Sequence, residues 1–461
     1  MDKSSFSVEI IDIALPNNYG VARRDNFVIF VPDAIIGDKV EVKISREEKR
    51  FAYGEIVNIE EPSSFRTHAK CPHFGFCGGC TLQSLIYEKQ LEVKENHLLQ
   101  ILRRIGSLNV EKVEITPIAP SPDRYFYRSK LELAFGRKDG YTIIGLRERV
   151  SPFKKFTGQV VPLEKCLIFS PVVEKIIPLF SDISTKYNLT PYDPLTRKGF
   201  MRHLILKESK TTGKVMALLE TTNGKLPDTE GLWQKLVEQI PEVKSLYRVI
   251  NNRHIDIENY EKQYHLFGEP YIEELISGFT FRIYPQSFFQ PNSKGAEVLY
   301  NKIVQLSQLK GNEKILGLYC GTGPIEMFLS RAAGKVTGID SNPTNIMNAI
   351  ENCQLNGIKN CSFYRGKVEK VPKDTFIDKP DLLVIDPPRG GMSNQGLKLI
   401  LDLYPKKIAY VSCNPSTLAR DMKYLQEYNY TVRKIASFDF FPHTAHLEVL
   451  VIFEKTDLLF A

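Results

Sequence analysis

The chain has 461 residues, 43% of them hydrophobic and 25% charged, with a formal net charge of +7. Domains cluster at about 100–150 residues, so two or three domains are expected. No run of about 18 apolar residues could cross a bilayer, and the N-terminus, MDKSSFSVEI, has no apolar signal region. Neither a membrane protein nor a secreted one is expected, and a cytoplasmic setting is.

Residues 4–61 read as all-β. VEIIDI, FVIFVP, KVEVKI and GEIVNI are short, β-branched and partly alternating, with Val40, Val42 and Ile44 on one face. Turn material at Pro16-Asn17-Asn18, Arg24-Asp25-Asn26 and Gly37-Asp38 separates them. A small barrel of about five strands fits, an architecture that serves either nucleic-acid binding or a plain structural cap. Residues 1–60 balance at −3 and residues 61–160 at +6, so the basic surface for an anionic partner starts after this first unit.

Three of the eight cysteines then crowd into CPHFGFCGGC, giving Cys71-x5-Cys77-x2-Cys80, with Cys166 as a fourth candidate. In a reducing compartment such clustering points to a metal or cluster site rather than disulfides, and four thiolates suit zinc and an iron–sulfur cluster equally by count. The spacing is not the Cys-x3-Cys-x2-Cys of radical enzymes, so no radical chemistry is expected. A helix is predicted over about residues 84–105, where Leu91, Leu98, Leu102 and Ile105 recur at helical spacing and Gly106 offers a stop.

Residues 125–270 mix the strands KLELAF, YTIIGL, HLILKE, VMALLE and SLYRVI with the helices PVVEKIIPLFSDI and LWQKLVEQI. This predicts an α+β domain with a mostly antiparallel sheet. From about residue 296 strand and helix alternate through KILGLYC, KVTGID, DLLVID, KIAYVS and LEVLVIFEK. That rhythm predicts a doubly wound, mostly parallel sheet, binding its ligand at the carboxyl ends of the strands.

Gly317-Leu-Tyr-Cys-Gly-Thr-Gly323 follows the first of these strands and opens a helix, so its backbone can approach a ligand. Alone such a loop is weak evidence, and its glycine spacing is not the dinucleotide pattern. Asp340 ends the second strand, where a carboxylate can accept hydrogen bonds from both ribose hydroxyls, and Asp386 ends the third, in DLLVIDPPRGG. Cys413, in AYVSCNPSTLARD, follows a further strand and so shares that rim. The Asn-Pro after it is read as a turn that exposes the thiol. Cys353 and Cys361 are read as inert. Glu448 opens the terminal strand in PHTAHLEVLVIF; His443 and His446 beside it lack the helical HExxH spacing of a metal site.

CPHFGFCGGCTLQ, SFFQPN, LYCGTG, IDPPRGG, SCNPSTLARD and PHTAHLEVL, in that order, closely resemble the RNA (uracil-5-)-methyltransferases. The closest branch acts on 23S ribosomal RNA and carries a TRAM domain and a 4Fe-4S cluster. The resemblance implies three parts. They are a TRAM barrel with an OB-like fold over 4–61, a central α+β domain with the cluster over 62–270, and a Rossmann-like catalytic domain over 271–461. Part of residues 93–124 would pack with the catalytic domain. Cys71, Cys77, Cys80 and Cys166 would hold the cluster. Gln290, Tyr319, Gly321, Gly323, Asp340 and Asp386 would bind S-adenosylmethionine, and Cys413 and Glu448 would be nucleophile and base.

The implied reaction explains the pairing of a thiolate with a base. Uracil C5 is a poor carbon nucleophile; thiolate addition at C6 makes an enolate that can attack an electrophilic methyl, and a base must then remove the C5 proton. The expected partner is RNA, 23S rRNA in particular, with no DNA or membrane involved and a monomeric protein. Phosphate contacts would come from Arg23, Arg24, Lys43, Arg46, Lys49 and Arg50, or from Arg124, Arg128, Lys130, Arg137 and Lys138, interleaved with Tyr125, Phe126 and Tyr127. The rival readings are the transfer RNA version of the reaction, whose familiar bacterial members lack the TRAM domain and the cysteine cluster, and a non-catalytic RNA-binding factor. Two positions depart from the family pattern: Gly317 stands where an acidic residue is usual, and Pro324 where a polar one is.

Overall fold

Alternating burial along the first sixty residues folds them into one six-stranded sheet in a computed structural model that describes residues 4–227, 231–253, 260–370 and 379–456. The strands are β1 Phe6–Glu9, β2 Asp12–Ala14, β3 Tyr19–Arg24, β4 Phe27–Pro32, β5 Lys39–Glu47 and β6 Phe51–Glu61, in the order β1-β5-β6-β4-β3-β2. Val40 and Val42 are fully buried with Ile29 and Val31 in its core. The predicted single strand VEIIDI is broken between β1 and β2. There Ile10 N–H donates to the Asp38 carbonyl (2.8 Å) and Ile11 N–H to that of Val21 (2.9 Å), so the chain changes partner. β3 was not expected, because Pro16-Asn17-Asn18 and Arg24-Asp25-Asn26 read as turn material and no strand is predicted between them.

Helix α1 (Tyr87–Arg104) follows the cysteine-rich loop, and a two-residue strand β7 (Glu114–Ile115) follows α1. Leu98 and Leu102 are fully buried, against Leu418 and Met422 near the C-terminus, whereas Ile105 lies past the helix end and is exposed.

The central sheet is built from β8 Lys130–Lys138, β9 Tyr141–Arg147, β10 Val160–Pro162, β11 Met201–Glu208, β12 Val215–Thr221, β13 Val243–Ile250 and β14 Lys262–Gly268. Its order is β10-β9-β8-β11-β12-β13-β14, and every pairing but β12–β13 is antiparallel. Helices α2 (Val172–Lys186) and α3 (Leu232–Val237) bury Phe180 and Trp233 in its core. α3 is shorter than the predicted LWQKLVEQI, its last residues turning into β13.

A hairpin of β15 (Ile272–Ile276) and β16 (Phe279–Ile283) and helix α4 (Ser293–Ser307) lead into the C-terminal unit. This comprises β17 Lys314–Leu318, α5 Pro324–Ser330, β18 Lys335–Asp340, α6 Pro343–Leu355, β19 Cys361–Arg365, β20 Leu382–Ile385, α7 Asn394–Leu403, β21 Lys407–Ser412, α8 Pro415–Glu427, β22 Tyr430–Phe438 and β23 Glu448–Lys455. The eight-stranded sheet runs β19-β18-β17-β20-β21-β23-β22-β7. β17 to β21 are mutually parallel, β23 is antiparallel to both neighbours, and β7 adds in parallel at the edge. The order reverses at β17, with β18 on one side and β20 on the other, which is where a ligand crevice opens in such sheets. No described helix is long and apolar enough to cross a membrane.

Candidate active site

Register brings the site together. In the parallel part, Leu318 pairs with both Ile339 and Ile385, so Tyr319, Asp340 and Asp386 leave three adjacent strands at the same level. The β21–β23 ladder ends at Ser412–Val449; Cys413 is the next residue on one strand and Glu448 the preceding one on the other. An antiparallel ladder extended by one step sets those two residues opposite each other.

These ends enclose a cavity of about 390 Å³ whose lining includes Gln290, Tyr319, Gly321, Asp340, Asp386, Cys413 and Glu448. Of the residues anticipated for this cavity, Gly323 alone does not line it. It adopts φ +81 at the start of α5, where an added Cβ would lie 2.6 Å from the Phe363 ring, a backbone geometry that glycine provides. Tyr319 also has positive φ (61°), a conformation costly for a side-chain-bearing residue and frequent at ligand sites.

Asp340 is anchored at both oxygens. Oδ2 accepts from Gly321 N–H (3.1 Å), and Oδ1 from Asn342 N–H (2.7 Å) and Asn345 Nδ2 (3.4 Å). It therefore both starts the turn into α6 and fixes the glycine loop. Gln290 reaches the site on the loop before α4. Buried Lys207 donates to the carbonyls of Pro285 and Ser287 (both 2.9 Å), and Ser129 Oγ to that of Gln290 (3.2 Å), so the central sheet holds this loop. Gln290 Nε2 in turn lies 3.5 Å from Asp386 Oδ2.

Asn414 and Pro415 begin α8 rather than forming an isolated turn. Asn414 caps the helix through Ser416 N–H (3.1 Å) and donates from Nδ2 to the Arg389 carbonyl (3.0 Å). Cys413 is consequently held at a strand-to-helix corner and is partly buried.

The cavity is electrostatically loaded. Glu326, Asp340, Asp386 and Glu448 line it, against the single guanidinium of Arg389. Burial pushes Asp386 up to about 7 and Glu326 to about 8, and burial with Asp386 nearby holds Glu448 well above the usual carboxylate range. Cys413 is raised to about 11, first by burial, then by Glu448 and Asp386, with Arg389 opposing. Burial and, for Glu326 and Glu448, the charge of Asp386 thus favour the protonated forms of these carboxyls. His446, also at the lining, is pushed down to about 4 by burial and stays neutral.

Glu326, Phe288, Phe289, Arg389, Phe441 and His446 line the cavity although none was singled out as a site residue. The signal for Glu326 was one charge inside the apolar run PIEMFL. For Arg389 and His446 it was their place in IDPPRGG and PHTAHLEVL.

A wider groove of about 680 Å³ meets the cavity at Arg389, Phe441 and His446. Arg128, Lys130, Arg147 and Arg149 line it from the central unit, and Pro16 and Asn17 from the first. The aromatic interleaving around Arg124 does not form a stacking platform. Tyr127 is buried, Tyr125 stacks on His443 at 4.5 Å between centroids, and only Phe126 is exposed, while Arg124 pairs with Glu88.

Cys71, Cys77, Cys80 and Cys166 line one small, mostly apolar pocket, and all eight cysteines are free thiols. Burial raises Cys77 to about 11 and Cys80 to about 12. Among the described residues, no group of three or more His, Cys, Asp and Glu is drawn together as the ligand set of a single metal ion.

The family model for tRNA (uracil-5-)-methyltransferases matches residues 233–456, and that for the TRAM domain residues 4–57. An uncharacterised RNA methyltransferase of Clostridium acetobutylicum is 36% identical over 442 residues, covering 95% of this chain and 94% of its own. One from Listeria monocytogenes is 35% identical, covering 98% of each chain. Among solved structures, the Pyrococcus abyssi tRNA (uracil-54, C5)-methyltransferase in complex with S-adenosyl-L-homocysteine superposes with a TM-score of 0.74 at 28% identity, covering 97% of this chain and all of the other. With the TRAM barrel in front and the acid-lined cavity at the sheet's switch point, this chain belongs to the S-adenosylmethionine-dependent RNA (uracil-5-)-methyltransferase family.

Proposed function

We propose that the protein methylates C5 of a uridine in 23S ribosomal RNA through a covalent bond between Cys413 Sγ and C6 of the base. The observation that carries this reading is the gathering of Cys413, Glu448 and Asp386 in one cavity open to a basic groove. S-adenosylmethionine, when bound, supplies an electrophilic methyl group on a sulfonium. Asp340 would accept from the ribose hydroxyls, and Gln290, Tyr319, Gly321 and Asp386 would hold the rest of the cofactor, with Gly323 setting the loop's backbone. The Cys413 thiol would lose its proton to solvent and add to C6, and the electron pair displaced onto C5 would take the methyl as its bond to the sulfonium breaks, leaving S-adenosylhomocysteine. Glu448 then accepts the C5 proton, and the C6–S bond breaks to return the thiolate. The target base has to leave its stack to reach Cys413, and the groove's Arg128, Lys130, Arg147 and Arg149 are suited to grip the flanking phosphates.

Cys71, Cys77, Cys80 and Cys166, which line one pocket, are the thiolates that we propose would hold a 4Fe-4S cluster. Such a group would cross-link the Cys71–Cys80 loop to the segment before α2.

The TRAM barrel and the four-cysteine pocket in one chain support the ribosomal substrate. A second reading, transfer RNA, is favoured by the archaeal tRNA enzyme, whose match covers 97% of this chain and so extends over both features. Mapping 5-methyluridine in ribosomal and transfer RNA from cells with and without the gene separates the two. Loss confined to 23S rRNA is expected; loss confined to tRNA would replace the first reading with the second.

A further inference from the structure

Gly317 and Glu326 meet across the glycine loop. An ideal Cβ placed on Gly317 would lie 1.9 Å from Glu326 Oε1 and 2.9 Å from its Cδ. The Glu326 carboxyl, rising from α5, therefore occupies the volume that a side chain on β17 would fill. The chain carries its acid on the helix here, where the family pattern carries one on the strand.

Glu326 is 2% exposed, and its Oε2 has no hydrogen-bond partner within the protein. It lines the cofactor cavity, and the charges that act on it include those of Asp340 on one side and Asp386 on the other. A buried carboxyl with an unmet acceptor is costly unless a donor, preferably a cation, arrives with the ligand. The cofactor offers such donors in three places. Its ribose hydroxyls belong with Asp340, and its adenine amine is uncharged. The remaining donor is the ammonium of its amino-acid arm.

Resting on the cofactor reading above, we propose that Glu326 is the residue that binds the α-ammonium group of S-adenosylmethionine, replacing in space the acid that Gly317 lacks. Gly317 is then a requirement of this arrangement, since any side chain there would displace the carboxyl.

Calorimetric titration of the full-length protein with two neutral-sulfur probes tests this. S-adenosylhomocysteine carries the ammonium; methylthioadenosine keeps the adenine, ribose and thioether but lacks the amino-acid arm. Glu326→Gln should weaken S-adenosylhomocysteine about tenfold or more and methylthioadenosine less than about twofold. The double variant Gly317→Asp with Glu326→Ser returns a carboxylate from the strand and should recover the preference for S-adenosylhomocysteine. Gly317→Asp alone, which crowds Glu326, should not match the unaltered protein. Equal weakening of both probes by Glu326→Gln, or no weakening of either, would overturn the assignment of Glu326. Failure of the unaltered protein to bind S-adenosylmethionine or S-adenosylhomocysteine would instead overturn the cofactor reading beneath it.

Discussion

At the scale of single residues the proposed mechanism carries a tension: Cys413 would have to be a thiolate to react, yet its surroundings favour the thiol. Burial is the largest cause, Glu448 and Asp386 add to it, and Arg389 is the group that opposes them. The fraction of thiolate in the free protein therefore climbs with pH well past neutrality, and Glu448, the proposed base, also ionises in that direction. The value of kcat/KM for RNA should rise about tenfold per pH unit from pH 6.5 to 8.5. Arg389→Gln should move this limb to higher pH and slow the reaction at pH 7, and a limb that stays in place would remove Arg389 from the tuning of Cys413. The acids at the strand ends were legible in the sequence because Asp340 and Asp386 close runs of apolar, β-branched residues. Glu326 was not, since its importance comes from the space left by Gly317, a relation between two elements that no periodicity records.

At the scale of elements, α1 shows how tertiary contacts override chain order. Its leucine stripe was readable as a buried face. What that face would meet was not readable from spacing, because its partners lie more than 300 residues away in the chain. Lys94 Nζ and Asp439 Oδ1 form a fully buried ion pair at 2.5 Å, and Tyr87 hydroxyl donates to Asp439 Oδ2 at 2.8 Å. Lys94 also donates to the Phe441 carbonyl (3.0 Å), and His443 N–H to Gln90 Oε1 (3.0 Å). α1 thus holds the loop that presents Phe441 and His446 to the cavity. Lys94→Met leaves a buried carboxylate uncompensated and should cost about 3–5 kcal/mol by denaturant unfolding, with Lys94→Met plus Asp439→Asn recovering part of it. An equal loss in Lys94→Met and the double variant would show that the stranded Asp439 carboxylate is not the source of the cost. The same long-range logic hid β7, whose two residues are strand only because β22 offers an edge.

At the scale of the whole molecule, the acids of the cavity link ligand binding to stability. Free carboxyls titrate at 3.8 for aspartate and 4.5 for glutamate, whereas burial brings Asp386 to about 7 and Glu326 to about 8 in the folded chain. Between those limits the folded state binds more protons than the unfolded one. The contribution of these groups to stability is therefore present at low pH and lost as pH rises from about 4 to about 8. A cationic cofactor compensates the charge that appears. The rise in Tm produced by saturating S-adenosylmethionine should accordingly be larger at pH 8 than at pH 5.5, and an increment independent of pH would contradict this linkage. Of the four described sheets, the three large ones follow patterns readable beforehand, alternation in the first part and strand–helix rhythm in the last, whereas the β15–β16 hairpin does not. The groove that joins the large sheets was not readable, because Asn17, Arg149 and Arg389 come together only in the folded chain.

The proposed function turns on one bond, between Cys413 Sγ and C6 of a uracil in RNA. RNA carrying 5-fluorouridine at the target cannot lose the C5 substituent as a proton, so with S-adenosylmethionine present it should remain attached to the protein. Denaturing electrophoresis followed by mass analysis should find that adduct in the unaltered protein, at Cys413, and none in Cys413→Ala. An adduct of equal yield in Cys413→Ala would contradict the account.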